Sequence, residues 1–434
     1  MNILLTTFGS HGDLFPFLAI GRALAARGHS CRVATHPLFT ADIEASGLEA
    51  TPVIADAPMA ELLRHPDLFH RVRGPLLGGR HLAAVMRGFA RDLRRVVAES
   101  RPDAIVCHYG LSSARWVAEE AGIASVAAAL APVAWNSAAD PVPAYQVSPG
   151  RTRAAVARMV SRVADPALGA ALGRWSLRLR RECGFADPRP MAASDPARRA
   201  TRLSLFDEFR AGDMSLGLWA AAFRPPLPDD PPGSVVCGFP WHTHPVGTLP
   251  ERVVSFLESG EPPIVFTLGS AAVHHPRGFF ALAAAACERL GRRGILLTGR
   301  GGAQQANLPR DVIAVEWAPH ALLFPRALVS VHHAGIGSTA EALRAGRPSV
   351  AIPHAFDQFN NAVRVERLGA GLMLARHHVT LHRLVAVLDR AAGDAGIARH
   401  ARELAPRVAE NGAGHAALAI ERLSPRAEVD SAAA

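Results

Sequence analysis

Lysine is absent from this 434-residue sequence, and cysteine is scarce. All 47 basic residues counted as lysine plus arginine are arginine, which we attribute to the base composition of the genome. The five cysteines are scattered, their number is odd, and no pair has the spacing of zinc ligands. These features argue against a disulfide framework and a structural zinc, and they fit a reducing cytoplasm.

Aromatic residues and long apolar runs are also rare. Only 6% of the residues are aromatic, whereas 49% are hydrophobic, and this balance favours helices packed on sheets over an aromatic-rich β-sandwich. No run approaches the roughly 18 apolar residues of a membrane span. Residues 1–7 lack the charged segment and the cleavage site of a signal peptide. We therefore expect a cytoplasmic protein whose contact with a membrane, if any, is peripheral.

The excess positive charge is concentrated in one segment. The formal net charge is +9, and residues 151–202 hold twelve arginines against four acids, a local excess of 12 − 4 = +8. Such a patch suits nucleic acid, anionic lipid headgroups or an acidic substrate, whereas a solvated helical face is the plainer explanation. No nucleic-acid-binding motif accompanies the charge, so we predict no nucleic-acid partner. Peripheral contact with the inner face of an anionic membrane stays open.

Strand and helix patterns alternate along the chain. An apolar run at 3–7 precedes a glycine-containing loop at 9–13, a helical pattern and a second strand at 31–35. This order begins a doubly wound parallel sheet. A proline-rich stretch at 224–233 cannot continue a helix or a central strand and indicates an interdomain linker. The alternation then restarts with a strand at 264–268.

We therefore predict an α/β protein with two Rossmann-like, doubly wound domains facing each other across a cleft. The first domain spans residues 1–226, and residues 227–262 form the linker and the start of the second domain. The second domain spans residues 263–423, and residues 424–434 form a disordered tail.

The stretch from residue 317 to residue 358 is the most informative. Trp-Ala-Pro-His at 317–320 follows one strand, His-Ala-Gly-Ile-Gly-Ser-Thr-Ala-Glu at 333–341 follows another, and Asp-Gln stands at 357–358. Glycines allow a ligand to approach the backbone, and a helix N-terminus offers free N–H groups to a phosphate. Taken singly, these pieces have plainer interpretations as a turn and cap, a core tryptophan and a helix N-cap. Together they could serve the base, ribose, diphosphate and sugar of one nucleotide sugar.

The same stretch resembles the donor signature of GT-B glycosyltransferases that use UDP- or TDP-sugars. That signature runs Trp-Ala-Pro-Gln, then His-Cys-Gly-Trp-Asn-Ser-x-x-Glu, then Asp-Gln. In the family the tryptophan stacks on the base, the glutamate binds ribose, the histidine and serine hold the diphosphate, and the Asp-Gln pair binds the sugar. Here His320 replaces the glutamine and Ile336-Gly337 replaces Trp-Asn, departures that suggest the bacterial branch.

The resemblance implies a set of donor-binding residues, which also includes a serine after the first strand of the second domain. The set is Ser270, Trp317, His320, His333, Gly335, Gly337, Ser338, Thr339, Glu341, Asp357 and Gln358.

The opening at 9–16 resembles the Gly-Ser-x-Gly-Asp-x-x-Pro motif of bacterial glycosyltransferases that act on antibiotics and lipids. Plant relatives carry a catalytic histidine three residues before the same proline, where this chain has Asp13. The resemblance implies that Asp13 is the general base for an inverting displacement. A helix cap is the alternative for Asp13, and His11 is the rival base. His108 could pair with Asp13, although a satisfied histidine at a strand end is the plainer interpretation.

Over about its whole length the chain resembles the bacterial rhamnosyltransferases of rhamnolipid synthesis. Phe-Pro-Phe at 15–17, Val-Phe-Thr-x-Gly-Ser at 265–270 and Asp-Gln-Phe-x-Asn-Ala at 357–362 carry this resemblance. It implies TDP-L-rhamnose as the donor co-substrate, a hydrophobic hydroxylated lipid as the acceptor, and no separate cofactor. A polyketide, antibiotic or sterol aglycone is the alternative acceptor. A non-catalytic partner protein of the same fold is the alternative of another class.

Other functions fit the sequence less well. A sugar-nucleotide 2-epimerase would need catalytic carboxylates in the cleft and no acceptor pocket. An NAD dehydrogenase would need Gly-x-Gly-x-x-Gly after the first strand, which residues 9–13 do not provide. Paired histidines at 274–275, 332–333 and 377–378 suggest a metal, but no carboxylate or cysteine set completes a site. We therefore predict no metal.

Overall fold

The computed structural model describes most of the chain. The described residues are 1–55, 61–62, 65–68, 70, 73–135, 137, 139–140, 171, 173–187, 212–242, 247–274, 276, 278–299 and 308–423. Most of the arginine-rich segment at 151–202 and the whole of the predicted tail at 424–434 lie outside these ranges.

Parallel strands build two separate sheets, each with the first strand of its half near the centre. The first sheet has the order β3-β2-β1-β4-β5-β6-β7, and the second has the order β10-β9-β8-β11-β12-β13. The strands of the first sheet are β1 (Asn2–Thr6), β2 (Ser30–Thr35), β3 (Glu49–Pro52), β4 (Ala104–His108), β5 (Ala124–Ala129), β6 (Met214–Gly217) and β7 (Val235–Val236). The strands of the second sheet are β8 (Ile264–Thr267), β9 (Gly294–Leu297), β10 (Val312–Val315), β11 (Val329–His332), β12 (Ser349–Ala351) and β13 (Gly371–Met373).

Helices connect the strands and cover the sheets. In the first half they are α1 (His11–Ala25), α2 (Thr40–Ala45), α3 (Arg73–Ser100) and α4 (Ser112–Glu120). In the second half they are α5 (Glu251–Glu258), α6 (Gly269–Ala272), α7 (Phe279–Leu290), α8 (His320–Leu323), α9 (Ile336–Arg344), α10 (Gln358–Arg367), α11 (Leu381–Gly393), α12 (Ala395–Val408) and α13 (Gly412–Ile420). Short 3-10 helices lie at Pro37–Phe39, Pro132–Trp135, Phe324–Arg326 and Arg376–His378. None of the helices that the structure describes could cross a membrane, because none combines the necessary length with sufficient apolar character.

The first sheet is buried on both faces, as the apolar runs of its strands require. Ile3 and Leu5 pack into the cluster that contains α1, whereas Leu4 faces the cluster that contains α3. Parallel sheets covered by helices on both sides need such continuous apolar strands. The structure confirms the predicted α/β class with two doubly wound, Rossmann-like sheets.

A buried ion pair fixes the proline-rich linker. Both terminal nitrogens of Arg224 donate to the two carboxylate oxygens of Asp230, which also accepts from Leu227 N at 2.8 Å. The guanidinium lies 5.8 Å from the ring centres of both Trp135 and Trp219. A buried guanidinium is tolerated only with a well-placed counter-charge, so this segment is a fixed connection and not a loose tether.

The chain crosses between the two sheets twice. β7 belongs to the first sheet, although it lies in the predicted linker range 227–262. The chain returns after α12, and α13 at the end of the predicted second domain packs into the core beside α1. Beyond α13, Glu421 accepts from Arg27 Nη2 at 2.7 Å. The first crossing therefore starts on the first half of the molecule, after β7, and the second crossing ends on it.

The two crossing segments touch at a pair of glycines. A Cβ added at Gly412 would lie 2.3 Å from the backbone carbon and oxygen of Gly238. We expect Gly412→Ala to lower the free energy of unfolding by about 1–3 kcal/mol, the usual cost of forced overpacking. Urea denaturation measures this change. The matched control is Gly393→Ala at the end of α11, where a Cβ would meet nothing within 4 Å. Equal stability of the two variants would contradict the prediction.

Candidate active site

Loops at the carboxyl ends of both sheets meet in one cleft. Asp13 follows β1 and His108 ends β4, while His333 follows β11 and Asp357 follows β12. The Asp13 carboxylate is close enough to Asp357 to raise the pKa of its carboxyl group. In open parallel sheets, ligands bind in the crevice outside the carboxyl ends of the strands. Asp13 of the first half and Asp357 of the second half therefore lie near each other, at the edge where such ligands bind.

Asp13 is held in place by the start of α1. Ser10 is the N-cap of this helix, and Asp13 Oδ2 accepts from Ser10 N at 2.8 Å and from Ser10 Oγ at 3.1 Å. A Cβ at Gly9, which has a φ of +107°, would lie 2.4 Å from Asp13 Oδ2. The side chain is 34% exposed and its other oxygen, Oδ1, faces His108. Asp13 thus occupies the third helical position and completes a capping box, rather than being the N-cap itself.

His108 lies behind Asp13 and is almost fully buried. Its Nδ1 accepts from Gly110 N at 3.1 Å, which leaves the proton of a neutral ring on Nε2. Nε2 lies 3.4 Å from Asp13 Oδ1. The rings of Phe8 and Tyr109 pack on the imidazole at centre-to-centre distances of 5.0 Å and 4.6 Å. The side chains of Asp13 and His108 therefore lie next to each other.

His11 takes a different partner, although it stands only two residues before Asp13. Its Nε2 lies 3.1 Å from Asp42 Oδ2, at the start of α2. Its ring contacts Phe15 and Phe39, with centres 5.5 Å and 5.2 Å apart. The structure thus distinguishes the two candidate bases. Asp13 lies beside the buried His108, whereas His11 lies beside Asp42.

His333 fills a slot between two glycines. A Cβ at Gly269 would lie 2.1 Å from the ring carbon Cε1, and a Cβ at Gly335 would lie 2.3 Å from Nε2. Burial is the main cause that holds the pKa of His333 well below its usual range, so the ring is neutral. Among the described residues, His333 Nδ1 has no hydrogen-bond partner. The ring is therefore positioned by the shape of this slot and not by a hydrogen bond to Nδ1.

The helix after His333 begins without a side-chain cap. Gly335 is the N-cap of α9 and no side chain accepts from the first turn, so neither Ser338 nor Thr339 caps this helix. Gly337 is exposed and Ser338 is half-buried. Thr339, which the resemblance implies is a donor-binding residue, is fully buried. The uncapped N–H groups of α9 remain a suitable site for an anion.

Glu341 is the acidic side chain of α9, and an arginine holds it. Arg344 Nη2 donates to Glu341 Oε2 at 2.6 Å, and its guanidinium lies 4.0 Å from the ring centre of Trp241. Burial raises the pKa of Glu341, whereas Arg344 opposes this shift. The ion pair favours the charged carboxylate that could accept hydrogen bonds from hydroxyl groups.

Trp317 and His320, two aromatic residues that the sequence predicts to bind the nucleotide sugar, follow β10. Trp317 is one of the large hydrophobic side chains left exposed, at 43% of its surface. His320 is the first residue of α8, and its ring stacks on Phe324 with centres 4.5 Å apart. Burial lowers the pKa of His320 to about 4, so this histidine is neutral. Trp317 is therefore partly exposed, whereas the ring of His320 stacks on a neighbour within its own loop.

Asp357 and Gln358 form hydrogen bonds that hold the loop that follows β12. Asp357 stands at the N-cap position of α10 without capping it, and its Oδ2 accepts from Asn361 Nδ2 at 2.7 Å. Asn361 Nδ2 also donates to Ala334 O at 3.0 Å, which joins this loop to the one after β11. Gln358 Oε1 accepts from His354 N at 2.7 Å and from the next backbone N–H at 3.0 Å. The carbonyl end of Gln358 therefore holds the loop itself.

The ionisation of Asp357 should depend on folding. Burial, followed by the charge of Asp13, raises its pKa from the ordinary 3.8 to about 7. A raised pKa in the folded state stabilises the fold below the unfolded pKa, and this contribution is lost as the pH rises through the folded value. We expect the stability of the wild type relative to Asp357→Asn to fall between about pH 4 and pH 7. Urea denaturation across this range is the measurement, and parallel pH profiles would refute the prediction.

Some contacts at the site could not be read from the donor signature. Arg344 had a local signal, because Glu341 and Arg344 stand three residues apart on one helix and can pair. Asn361 had a similar signal, four residues after Asp357. The slot that Gly269 provides for His333 had no local sequence signal, because it forms only when β8 and β11 become neighbours. Ser270 lies in α6 as predicted after β8, but its side chain is outside the described part of the structure.

Within the described ranges, no group of three or more histidine, cysteine, aspartate or glutamate side chains could hold a metal ion.

Both halves of the chain match models of known protein families. Residues 3–140 match the glycosyltransferase family 28 N-terminal domain, and residues 294–416 match the C-terminal domain of erythromycin biosynthesis protein CIII-like proteins. The chain is 30% identical to O-mycaminosyltylonolide 6-deoxyallosyltransferase of Streptomyces fradiae, over 97% of each chain. It therefore belongs to the GT-B glycosyltransferases and is an enzyme whose donor is a nucleotide sugar.

Further relatives and solved structures agree with this family. A sterol 3-beta-glucosyltransferase of Arabidopsis thaliana is 26% identical, over 86% of this chain and 57% of that protein. The glycotransferase of kitacinnamycin has a TM-score of 0.69 at 24% identity, covering 97% of this chain and 98% of the other. The glycosyltransferase VinC in complex with dTDP has a TM-score of 0.66 at 21% identity, covering 98% and 100%. These structural likenesses confirm the GT-B fold.

Proposed function

We propose that this enzyme transfers a sugar from a TDP- or UDP-sugar to a hydroxyl of a hydrophobic natural-product aglycone. The observation that carries the proposal is the meeting of the Asp13–His108 pair with the loops of His333 and Asp357 in one cleft. Relatives support the acceptor class, since one is named for a tylonolide and another for sterols. A solved structure of the same fold holds dTDP, which supports the nucleotide.

The donor diphosphate would lie at the uncapped start of α9. His333, neutral in its slot, would donate a hydrogen bond to a phosphate oxygen, and Ser338 and the exposed Gly337 would line the approach. The helix dipole adds a favourable field for negative charge. These groups would also stabilise the charge that develops on the leaving diphosphate, so the proposed reaction needs no metal.

The remaining parts of the donor would meet residues on either side of α9. Trp317, exposed after β10, would stack on the base. Glu341, kept charged by Arg344, would accept from the sugar hydroxyls of the nucleoside. Asp357 and the amide nitrogen of Gln358 would bind the transferred sugar.

Asp13 would act as the general base. It would take the proton of the acceptor hydroxyl while that oxygen attacks the anomeric carbon, and the nucleotide would leave from the opposite face. One such displacement inverts the anomeric configuration. The ordinary pKa of an aspartate makes it a weak base toward an alcohol, so alignment in the cleft must supply much of the rate. His108 would orient Asp13 Oδ1 through its Nε2 proton.

Asp13→Asn separates the base from its rival. Asparagine can still accept from Ser10, so α1 keeps its cap, but it cannot take a proton. We expect kcat to fall roughly 10²–10⁴-fold, the usual contribution of general-base catalysis. Donor affinity should hardly change, because the donor would lie on the other half. The matched control is His11→Gln, which breaks the contact with Asp42 and should leave kcat near normal. The reverse pattern would make His11 the base.

A substrate panel tests the function itself. TDP and UDP should raise the melting temperature, because a ligand at 100 times its Kd stabilises a protein by about 2.7 kcal/mol. With matching sugar donors, mass spectrometry should detect glycosides of macrolide, polyketide or sterol aglycones. Transfer only from TDP-L-rhamnose to a 3-hydroxyalkanoyl lipid would instead support the narrower resemblance to rhamnolipid enzymes and a role beside the membrane. No nucleotide binding and no product from any pair would refute the proposal.

A further inference from the structure

Charged residues from both halves of the molecule meet beside the cleft. Asp140 belongs to the loop that follows β5 in the first half, whereas Arg364 and Arg367 lie on α10 in the second half. Arg364 Nη1 donates to Asp140 Oδ2 at 2.6 Å, and Arg367 Nη1 donates to Asp140 Oδ1 at 2.9 Å. One carboxylate therefore binds two guanidinium groups across the boundary between the halves.

Burial makes the contact between Arg364 and Asp140 costly to break. The Arg364 side chain is 8% exposed and that of Asp140 is 25% exposed. Burial lowers the pKa of the Arg364 guanidinium, and the charge of Asp140 opposes that shift. Removing one partner of a buried pair leaves an uncompensated charge, which is far more costly than breaking a surface pair. Arg364 therefore depends on Asp140 to remain in its buried position.

Asp140 is itself fixed to the linker. Ser137 Oγ accepts from Asp140 N at 3.2 Å and donates to Asp229 Oδ1 at 2.6 Å. Trp135, two residues before Ser137, is fully buried and packs with Val365 of α10 in one apolar cluster. The loop after β5 is thus joined to the linker and to α10 at the same place.

The helix that Asp140 binds also begins at the proposed sugar site. Asp357 directly precedes α10, and Asn361 in its first turn bonds both Asp357 and Ala334. Arg364 stands one turn further along, and its Nε donates to Asn360 Oδ1 at 2.9 Å. A short rigid helix therefore connects the ion pairs to the loop that faces Asp13.

We propose that Asp140, with Arg364 and Arg367, forms an interdomain anchor that sets the orientation of α10 and so places Asp357 opposite Asp13. The three are positioning residues, since none of them would touch the substrate. The anchor rests on the proposed function only for what Asp357 binds; the orientation of the halves is a property of the fold alone.

Asp140→Asn tests the anchor, because asparagine keeps the shape and removes the charge. Three quantities are measured on the full chain: the radius of gyration by small-angle X-ray scattering, the Kd of TDP, and kcat. We expect a larger radius of gyration and a TDP affinity within about twofold of the wild type. We expect kcat to fall about 10- to 100-fold, the effect of a displacement of about 1 Å at a reacting centre. Asp140→Glu, which restores the charge, should recover part of kcat.

Two further variants keep the test decisive. Arg367→Gln removes only the more exposed pair and should give a smaller change in the same direction. Asp187→Asn is the matched control, because it breaks the exposed pair with Arg181, 2.7 Å long, within the first half. It should alter neither scattering nor kcat.

The proposal would be overturned if Asp140→Asn matched Asp187→Asn in scattering and kcat. It would equally be overturned if Asp140→Asn lowered only the melting temperature, since the pair would then stabilise the fold without positioning α10. The scattering measurement needs no substrate. Absence of turnover in the wild type would therefore count against the proposed function only, and the scattering result would still test the anchor.

Discussion

Contact between the carboxyl edges of two parallel sheets is the constraint on which this site depends. Each sheet alone gathers only half of the necessary side chains. The halves are held together by an apolar cluster that contains Trp135 and Trp219 from the first and Leu343 and Val365 from the second. The buried Arg224 lies against both tryptophan rings and pairs with Asp230. Packing and charge thus fix the linker at the point where a small rotation would separate Asp13 from Asp357.

Burial then determines the charges inside the cleft. The histidines around the donor loops are neutral, since burial lowers the pKa of His332 to about 3 and that of His354 to about 4. Neutral rings can donate to a diphosphate without first losing water from an ion, and neighbouring rings do not repel one another. Asp13, in contrast, is partly exposed and accepts from Ser10. The buried histidines of the second half and the carboxyl group of Asp13 in the first half therefore lie in different environments.

The sequence predicted the local parts of this arrangement best. The strands expected at 3–7, 31–35 and 264–268 lie at 2–6, 30–35 and 264–267, because apolar periodicity and glycine punctuation define them. The donor-binding residues that the resemblance implies also fall mostly within one short stretch, although their roles stay a prediction. Ser338 and Thr339 do not cap α9, because the helix begins at Ile336 directly after its N-cap, Gly335. Thr339 is fully buried.

Sequence reasoning fails where function depends on pairs that are distant along the chain. Asp13 and His108 meet only because β1 and β4 are neighbours in the sheet, so the sequence could suggest this pair only through the family resemblance. Asp140 and Arg364 are further apart still, and neither lies in a recognisable motif. Local motifs can specify how a nucleotide sugar is held, because one loop and one helix suffice for that. Inverting transfer also needs an oxygen, an anomeric carbon and a leaving group in line, and that alignment is set by contacts between halves. The proposed donor site is thus encoded locally, whereas its alignment with the proposed base would be a property of the whole fold.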